Sequence, residues 1–571
     1  MASQKGQVVS SARTGEVSIN LDRLNNALQG AIAESLRQLT QETRGTAKIA
    51  VVKTVAPAEA EAEAERIQIY EDDPFLEAVA GSSPVPADPI RIDEPSDTQT
   101  LLQTQIIGQQ PDPEVYQPST AEFRYWNADS ALARAINFWG PLLPSGTQWS
   151  TDQQPMQVNV DEGEDFNAFY ARESGLNFFH GQVDNVAPPV TVFSCASPDV
   201  SCHELGHAIL DAVKPELFNA MSLEVAAFHE GFGDVSAMLS KLQLAPLRDL
   251  VLQQTRGHLG SNSRLSQLAR QLGWAIRVQV DPTAVDRDCL RNTSNNFFYR
   301  DPAGLPPMAP ATQLSSEPHS FSRVFSGAFL DVLAAMFKIG PASFAGTDSD
   351  KLLAVAVDAG KLLIEGVRVA SVAPGFYSQV AAGMIQADQS LTGGRYRTAL
   401  TSSFVQRGIL SPTAAMSLVR TLREHSDSFG VTGRAPSRQQ LQFEGEGDGY
   451  KKTAQDAPNL PLRPLATRFG VTLHVHMPAE GARFPVAAAA LAGGTQATSS
   501  AEEDARSFVE DLIQRDKISH KGATDVIPAE LTSPGEASPH HKTHYVIRED
   551  GKTVLRRHHF DCGFRGCNHS H

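Results

Sequence analysis

The sequence predicts an α+β protein, and three observations carry that prediction. Strand-like runs precede residue 198, with MQVNV at 156–160 and an apolar, aromatic run at 165–170. Helical spacing then dominates from 198 onward, in segments at 222–239, 318–337, 350–367 and 377–391. Past 466, strand-like alternation returns around one amphipathic helix, which reads as a small α/β extension. The stretch that organises the rest is 198–234, PDVSCHELGHAILDAVKPELFNAMSLEVAAFHEGFGD.

The chain of 571 residues has a net charge of -16, with 41% hydrophobic and 20% charged residues. That balance is globular with room for several domains, and acidity without a basic stripe excludes a nucleic-acid partner. Cysteines at 195, 202, 289, 562 and 567 are too few for a disulfide framework, leaving only a Cys195 to Cys202 bridge open. No apolar run of signal-peptide length opens the sequence, and FPVAAAAL at 484–491 is far shorter than the about 20 residues of a spanning helix. The expected location is therefore cytoplasmic by default, with no membrane partner and export by another route left open.

Taken in order, residues 1–116 are expected to be largely disordered. They hold an amphipathic helix at 21–41, carried by Leu21, Leu24, Leu28, Ile32, Leu36 and Leu39, and an acidic, Pro-punctuated linker. Residues 117–412 form the main domain, and 413–465 are a polar, Gly/Pro-rich linker. The extension at 466–571 opens with VTLHVHM, which puts His474 and His476 on one face of a strand. It continues with a helix capped by Ser500 and Glu503 and a hairpin turning at Asp550-Gly551. A His/Cys-rich tail ends the sequence; Cys562, Cys567, His559 and His569 form either a second, structural zinc site or a flexible tail. The N-terminal helix and the extension are the candidate docking elements for a partner.

Chemistry concentrates in His203-Glu204-Leu205-Gly206-His207. On a helix, residues four apart share a face, so both imidazoles reach one ion while Glu204 points beside them. A catalytic zinc takes three protein ligands and keeps one position open, and Glu230, in the next helical pattern, is the candidate third ligand. Asp234, one turn further on the same face, would accept the second ring N–H of a zinc-bound histidine, His203 first.

The order His203, Glu204, His207, Glu230, Asp234 resembles the zinc core of the thermolysin-like neutral metallopeptidases. The resemblance covers about residues 120 to 412, half the sequence. It implies a β-rich N-terminal lobe carrying the zinc helix, a helical C-terminal lobe, one catalytic Zn2+ and a peptide or protein substrate. The stretch Asn167-Ala168-Phe169-Tyr170 is similar to the family's substrate-binding edge strand, with the Asn167 side chain and the Ala168 carbonyl bonding the peptide. By the same match, Arg291 grips a substrate carbonyl, His319 donates to the oxyanion, and Val200 and Leu290 wall a pocket for a bulky apolar residue after the cleaved bond. Glu204 is the implied general base.

Some positions depart from the pattern. Phe218 falls where the family has a tyrosine that helps hold the oxyanion, and Leu314 where an acid orients the histidine, with Glu317 as the nearest substitute. His229 precedes Glu230 where the family has Asn, and Asp199 alone matches a calcium ligand, so calcium stays open. The competing expectation is a catalytically inactive zinc protein of the same fold, used for recognition.

Overall fold

The computed structural model describes residues 65–74, 90–95, 98, 100–287, 289–430, 460–480, 500–519 and 541–562. The helix expected at 21–41, the apolar run at 484–491, Cys567 and His569 lie outside them. The architecture is mixed α+β: a β-rich first part, a helical middle and an α/β sheet at the end.

In the first part, β1 (Ile67–Tyr70) and β2 (Ile90–Asp93) pair antiparallel. Next come β3 (Thr104–Ile106) and α1 (Ala121–Trp139), whose N-cap Thr120 accepts from the Phe123 N–H. The strands β4 (Met156–Asn159), β5 (Ala168–Ala171), β6 (Gly175–Phe178), β7 (His180–Val183) and β8 (Val190–Phe193) follow. Gly175 makes the turn between β5 and β6 at φ +76°, where a side chain would also meet the Gln157 carbonyl.

The helical middle begins with α2 (Pro198–Val213) and α3 (Leu223–Lys241). It continues through α4 (Ala245–Thr255), β9 (Gln267–Leu268), α5 (Arg270–Gln279), β10 (Arg291–Asn292), α6 (Pro318–Ile339), α7 (Asp348–Val369), α8 (Phe376–Thr392), α9 (Arg397–Gln406) and α10 (Pro412–Gly430). Every residue of α3 is buried, its polar ones included. Such a helix is core by position, and its polar side chains need partners. Glu224 has them: the Tyr299 hydroxyl donates at 2.5 Å and the Tyr377 N–H at 3.0 Å. Asp211 of α2 accepts from the Tyr170 hydroxyl at 2.9 Å and from Arg172 Nε at 2.8 Å, which fixes β5 against the helix. Among the described helices, α6 is the one long and apolar enough to cross a membrane, and its apolar window is 83% buried inside the protein.

The last part holds β11 (Leu462–Ala466), β12 (Thr472–His476), α11 (Ala501–Gln514), β13 (Ile518–Ser519), β14 (His544–Glu549), β15 (Lys552–Arg557) and β16 (His559–Asp561). A five-stranded sheet runs in the order β11-β12-β15-β14-β13. Its hairpin turns at Asp550 (φ 49°) and Gly551 (φ 74°), the left-handed pair that a two-residue turn between twisted strands demands. Ser500 and Glu503 close the expected capping box on α11.

Four points of the sequence reading are settled differently here. The acidic stretch before 117 contributes β1, β2 and β3, because Ile67 and Ile69 bury themselves against Trp126 and β3 adds to the main sheet beside β4. The linker at 413–465 includes most of α10 and the start of β11. The extension is not set apart: β16 leaves it and pairs with β5, so the first sheet reads β16-β5-β6-β4-β3. Cys195 and Cys202 are both free thiols, so no bridge joins them.

Asp199 opens α2 and meets an internal cation. Lys241 Nζ, at the end of α3, lies 3.0 Å from Asp199 and 2.9 Å from Asp72, while Arg264 binds Asp72 at 2.8 Å. Burial works against the ammonium, but the two carboxylates outweigh it and hold the Lys241 pKa above its usual value. The lysine thus neutralises the acids where the sequence left a metal open. Removing one partner of such a group strands a buried charge, so Lys241→Met should lower stability by about 3–5 kcal/mol. Urea unfolding monitored by circular dichroism measures this, and a loss near zero would mean that the aspartates find other partners.

Candidate metal centre

Helical spacing sets the first half of the centre. His203 and His207 sit one turn apart on α2, their rings edge to face with centroids 4.9 Å apart. Facing groups of His203, Glu204 and His207 all lie within 4.8 Å of one another, a buried set that could hold a metal ion. The second half arrives from α3, where Glu230 Oε2 comes to 3.3 Å from His203 Nε2 and 3.7 Å from His207 Nε2. Two glycines permit this approach. A Cβ on Gly206 would lie 2.9 Å from the Gly233 Cα, and one on Gly233 would lie 2.6 Å from the His203 ring.

The polar atoms here are unusual in what they lack. Both ring nitrogens of His207, both oxygens of Glu204 and Oε2 of Glu230 are buried without a hydrogen bond of ordinary geometry. Buried polar atoms are nearly always paired, so several orphans converging on one point call for a shared ligand. Two imidazoles and a carboxylate form a donor set that suits zinc. The residues therefore fit a divalent metal.

Around this set, His203 Nδ1 lies 3.2 Å from Asp234 Oδ1. Arg291 Nε donates to the same Asp234 oxygen at 2.9 Å, and its Nη2 is 3.2 Å from His203 Nδ1. Burial opposes the charge on Asp234, but Arg291 and His203 hold its carboxyl below the usual range. Of the alternatives to Glu230, Glu224 is engaged by Tyr299 and Tyr377, while His229 stacks on Phe560, with centroids 3.9 Å apart, and has both ring nitrogens buried without a hydrogen bond.

His319, in the first turn of α6, has its Nε2 3.2 Å from Glu230 Oε2 and its Nδ1 2.7 Å from Glu317 Oε1. Glu317 thus stands beside His319, and it is the nearest acid to Leu314, the position where the resemblance puts an orienting acid. Burial disfavours the imidazolium, yet Glu230 and Glu317 raise the His319 pKa to about 10. Burial pushes Glu204 up to about 8 and drives His207 well below its ordinary value. The aromatic ring of Phe218 meets Phe560 edge to face at 5.6 Å.

Asn167 is buried immediately before β5, and its Oδ1 accepts from the Ala168 N–H at 2.9 Å. Val200, Leu290, Arg291, His203 and Asp234 line one small cavity, and Cys562 lines it with them. The structure thus places Val200, His203, Asp234, Leu290 and Arg291 around one cavity, with His207, Glu230 and His319 beside them. Sequence reasoning missed Gly233, a small residue at the contact between α2 and α3, and it singled out His559 and Cys562 as candidate ligands of a second zinc rather than as part of a strand beside β5. No family model matches the chain, and no curated protein matches it.

Removing a donor should empty the centre. His207→Ala and Glu230→Ala are expected to abolish stoichiometric zinc, read by elemental analysis after dialysis, and full retention in Glu230→Ala would assign the third donor elsewhere. Asp234→Ala should weaken binding by about 10- to 100-fold. Gly233→Ala, which touches no metal, should also lose zinc, because its methyl occupies the space of the His203 ring; parental affinity in that variant would show that the helices can move apart without harm.

Proposed function

We propose that this protein is a zinc-dependent endopeptidase, and the observation that carries the reading is a buried carboxylate, Glu204, without a hydrogen bond of ordinary geometry, beside a His203, His207, Glu230 donor set. Those three residues would hold the zinc, which supplies a Lewis acid that polarises a carbonyl and acidifies water to near neutrality.

The remaining steps belong to the chain. Glu204, buried beside the donor set, takes the proton of the attacking water and delivers it to the leaving nitrogen. His319, held by Glu317, donates Nε2–H to the oxygen on which negative charge develops. On the side of β5 where β16 now lies, an extended peptide would align through main-chain bonds, with the Ala168 carbonyl accepting from the residue after the scissile bond as it does from the Cys562 N–H. Val200 and Leu290 favour an apolar side chain there. Asp234 fixes the His203 ring and is itself held by Arg291.

One observation favours the second reading, a zinc protein that recognises without turnover: a segment of the chain already lies along β5. The two readings part at Glu204. In a peptidase, Glu204→Gln keeps zinc and loses most turnover of a quenched peptide, since an amide of the same shape accepts no proton. In a recognition module it changes neither. His319→Ala should lower kcat by about 100- to 1,000-fold with little change in KM, because its bond strengthens in the transition state. An unchanged kcat would remove His319 from the reaction.

A further inference from the structure

The segment that lies along β5 is built like a bound substrate. β16 pairs antiparallel with β5, placing His559 opposite Ala171, Phe560 opposite Tyr170 and Asp561 opposite Phe169. One residue further, the Cys562 N–H donates to the Ala168 carbonyl at 2.9 Å. On the other side of the same peptide bond, the Asp561 carbonyl accepts from His319 Nε2 at 2.5 Å. That nitrogen is also the one 3.2 Å from Glu230 Oε2. The bond's C=O and N–H are therefore held by two different elements, one of which touches the metal-binding carboxylate.

The neighbouring side chains hold the segment in place. Phe560 stacks on His207 at 5.0 Å and on His229 at 3.9 Å, under the Arg557 guanidinium at 4.1 Å. The Cys562 thiol interacts with the Glu204 carboxylate and lines the cavity formed by Val200 and Leu290. A strand that merely covered a sheet edge would need ladder bonds to β5 alone. It would not need its carbonyl on His319 or its next side chain against Glu204.

We propose that the peptide bond between Asp561 and Cys562 is the site's own substrate, so that the protein processes itself there and releases residues 562–571. The inference rests on the peptidase reading above. Water oxygen bonds to the Asp561 carbonyl carbon as the C–N bond to Cys562 breaks. Its proton passes through Glu204 to the nitrogen, leaving a carboxyl group on Asp561 and a free amine on Cys562. No other reactant is consumed. Because the bond is already held in the same molecule, the reaction is first order and independent of protein concentration.

The test uses the full chain, purified without metal and then supplied with zinc. Intact-mass and N-terminal analysis should find a new amino terminus at Cys562 at the same rate over a hundredfold dilution. Glu204→Gln should load zinc and stay whole. A readout independent of turnover is hydrogen exchange in that uncut variant: the Cys562 amide should exchange slowly, and fast exchange there would remove the strand from the cleft. Phe560→Asp, or the milder Phe560→Ala if the first does not fold, should release the strand and open β5 to an added peptide. If the released variant cuts the added peptide while the zinc-loaded parent never cuts at 561–562, self-processing is overturned and the peptidase reading stands. If neither protein cuts either bond with zinc bound, the peptidase reading itself fails, and the proposal with it.

Discussion

The centre of the molecule depends on two helices touching backbone to backbone. Side chains ordinarily hold packed helices 8–10 Å apart, and only very small residues allow a closer approach. Gly206 on α2 and Gly233 on α3 provide it, and the His203 imidazole rests on the space that Gly233 leaves. From that contact the rest follows. Glu230 reaches both histidines, Asp234 reaches the far side of His203, and Arg291 closes over Asp234. The small residues also explain why the α3 backbone is wholly enclosed, so that every polar atom on it must find a partner within the protein or in a ligand.

The buried charges fall into two kinds, and the contrast between them locates the chemistry. At one end of α2 and α3, Lys241 and Arg264 neutralise Asp72 and Asp199 with ordinary contact distances, and the group is complete in itself. A turn or two away, Glu204, His207 and Glu230 bury oxygens and nitrogens that the protein does not satisfy. Desolvation is costly in both places, but only the second is left chemically open. The same helices thus carry an ion cluster complete in itself and a donor set left open, distinguished by how fully hydrogen bonds within the chain satisfy each.

Much of this was legible in the sequence because it is periodic. The four-residue spacing of His203 and His207, and of Glu230 and Asp234, fixes which side chains share a face wherever the helices end. The cap at Ser500 and the turn at Asp550-Gly551 were legible for a similar reason, since a few adjacent residues determine each. What escaped was non-local. The run before residue 117 is rich in acid and proline, and its strands form because Ile67 and Ile69 meet Trp126 and because Asp72 meets a lysine from the far end of α3. Nothing within the run announces either partner. β16 is three residues long, and its pairing partner lies hundreds of positions earlier, so neither length nor alternation could mark it.

The place of β16 in the chain also gives the site a history. During synthesis, β5, α2 and α3 leave the ribosome long before residues 559–562, an interval on the order of tens of seconds at ordinary elongation rates. For that time the outer edge of β5 has no strand beside it, and the groups around His207 lack the ring of Phe560. A nascent chain would pass through a stage in which an edge able to pair with any extended segment is open to its surroundings. How long that edge stays open is then set by how far β16 lies behind β5 in the order of synthesis.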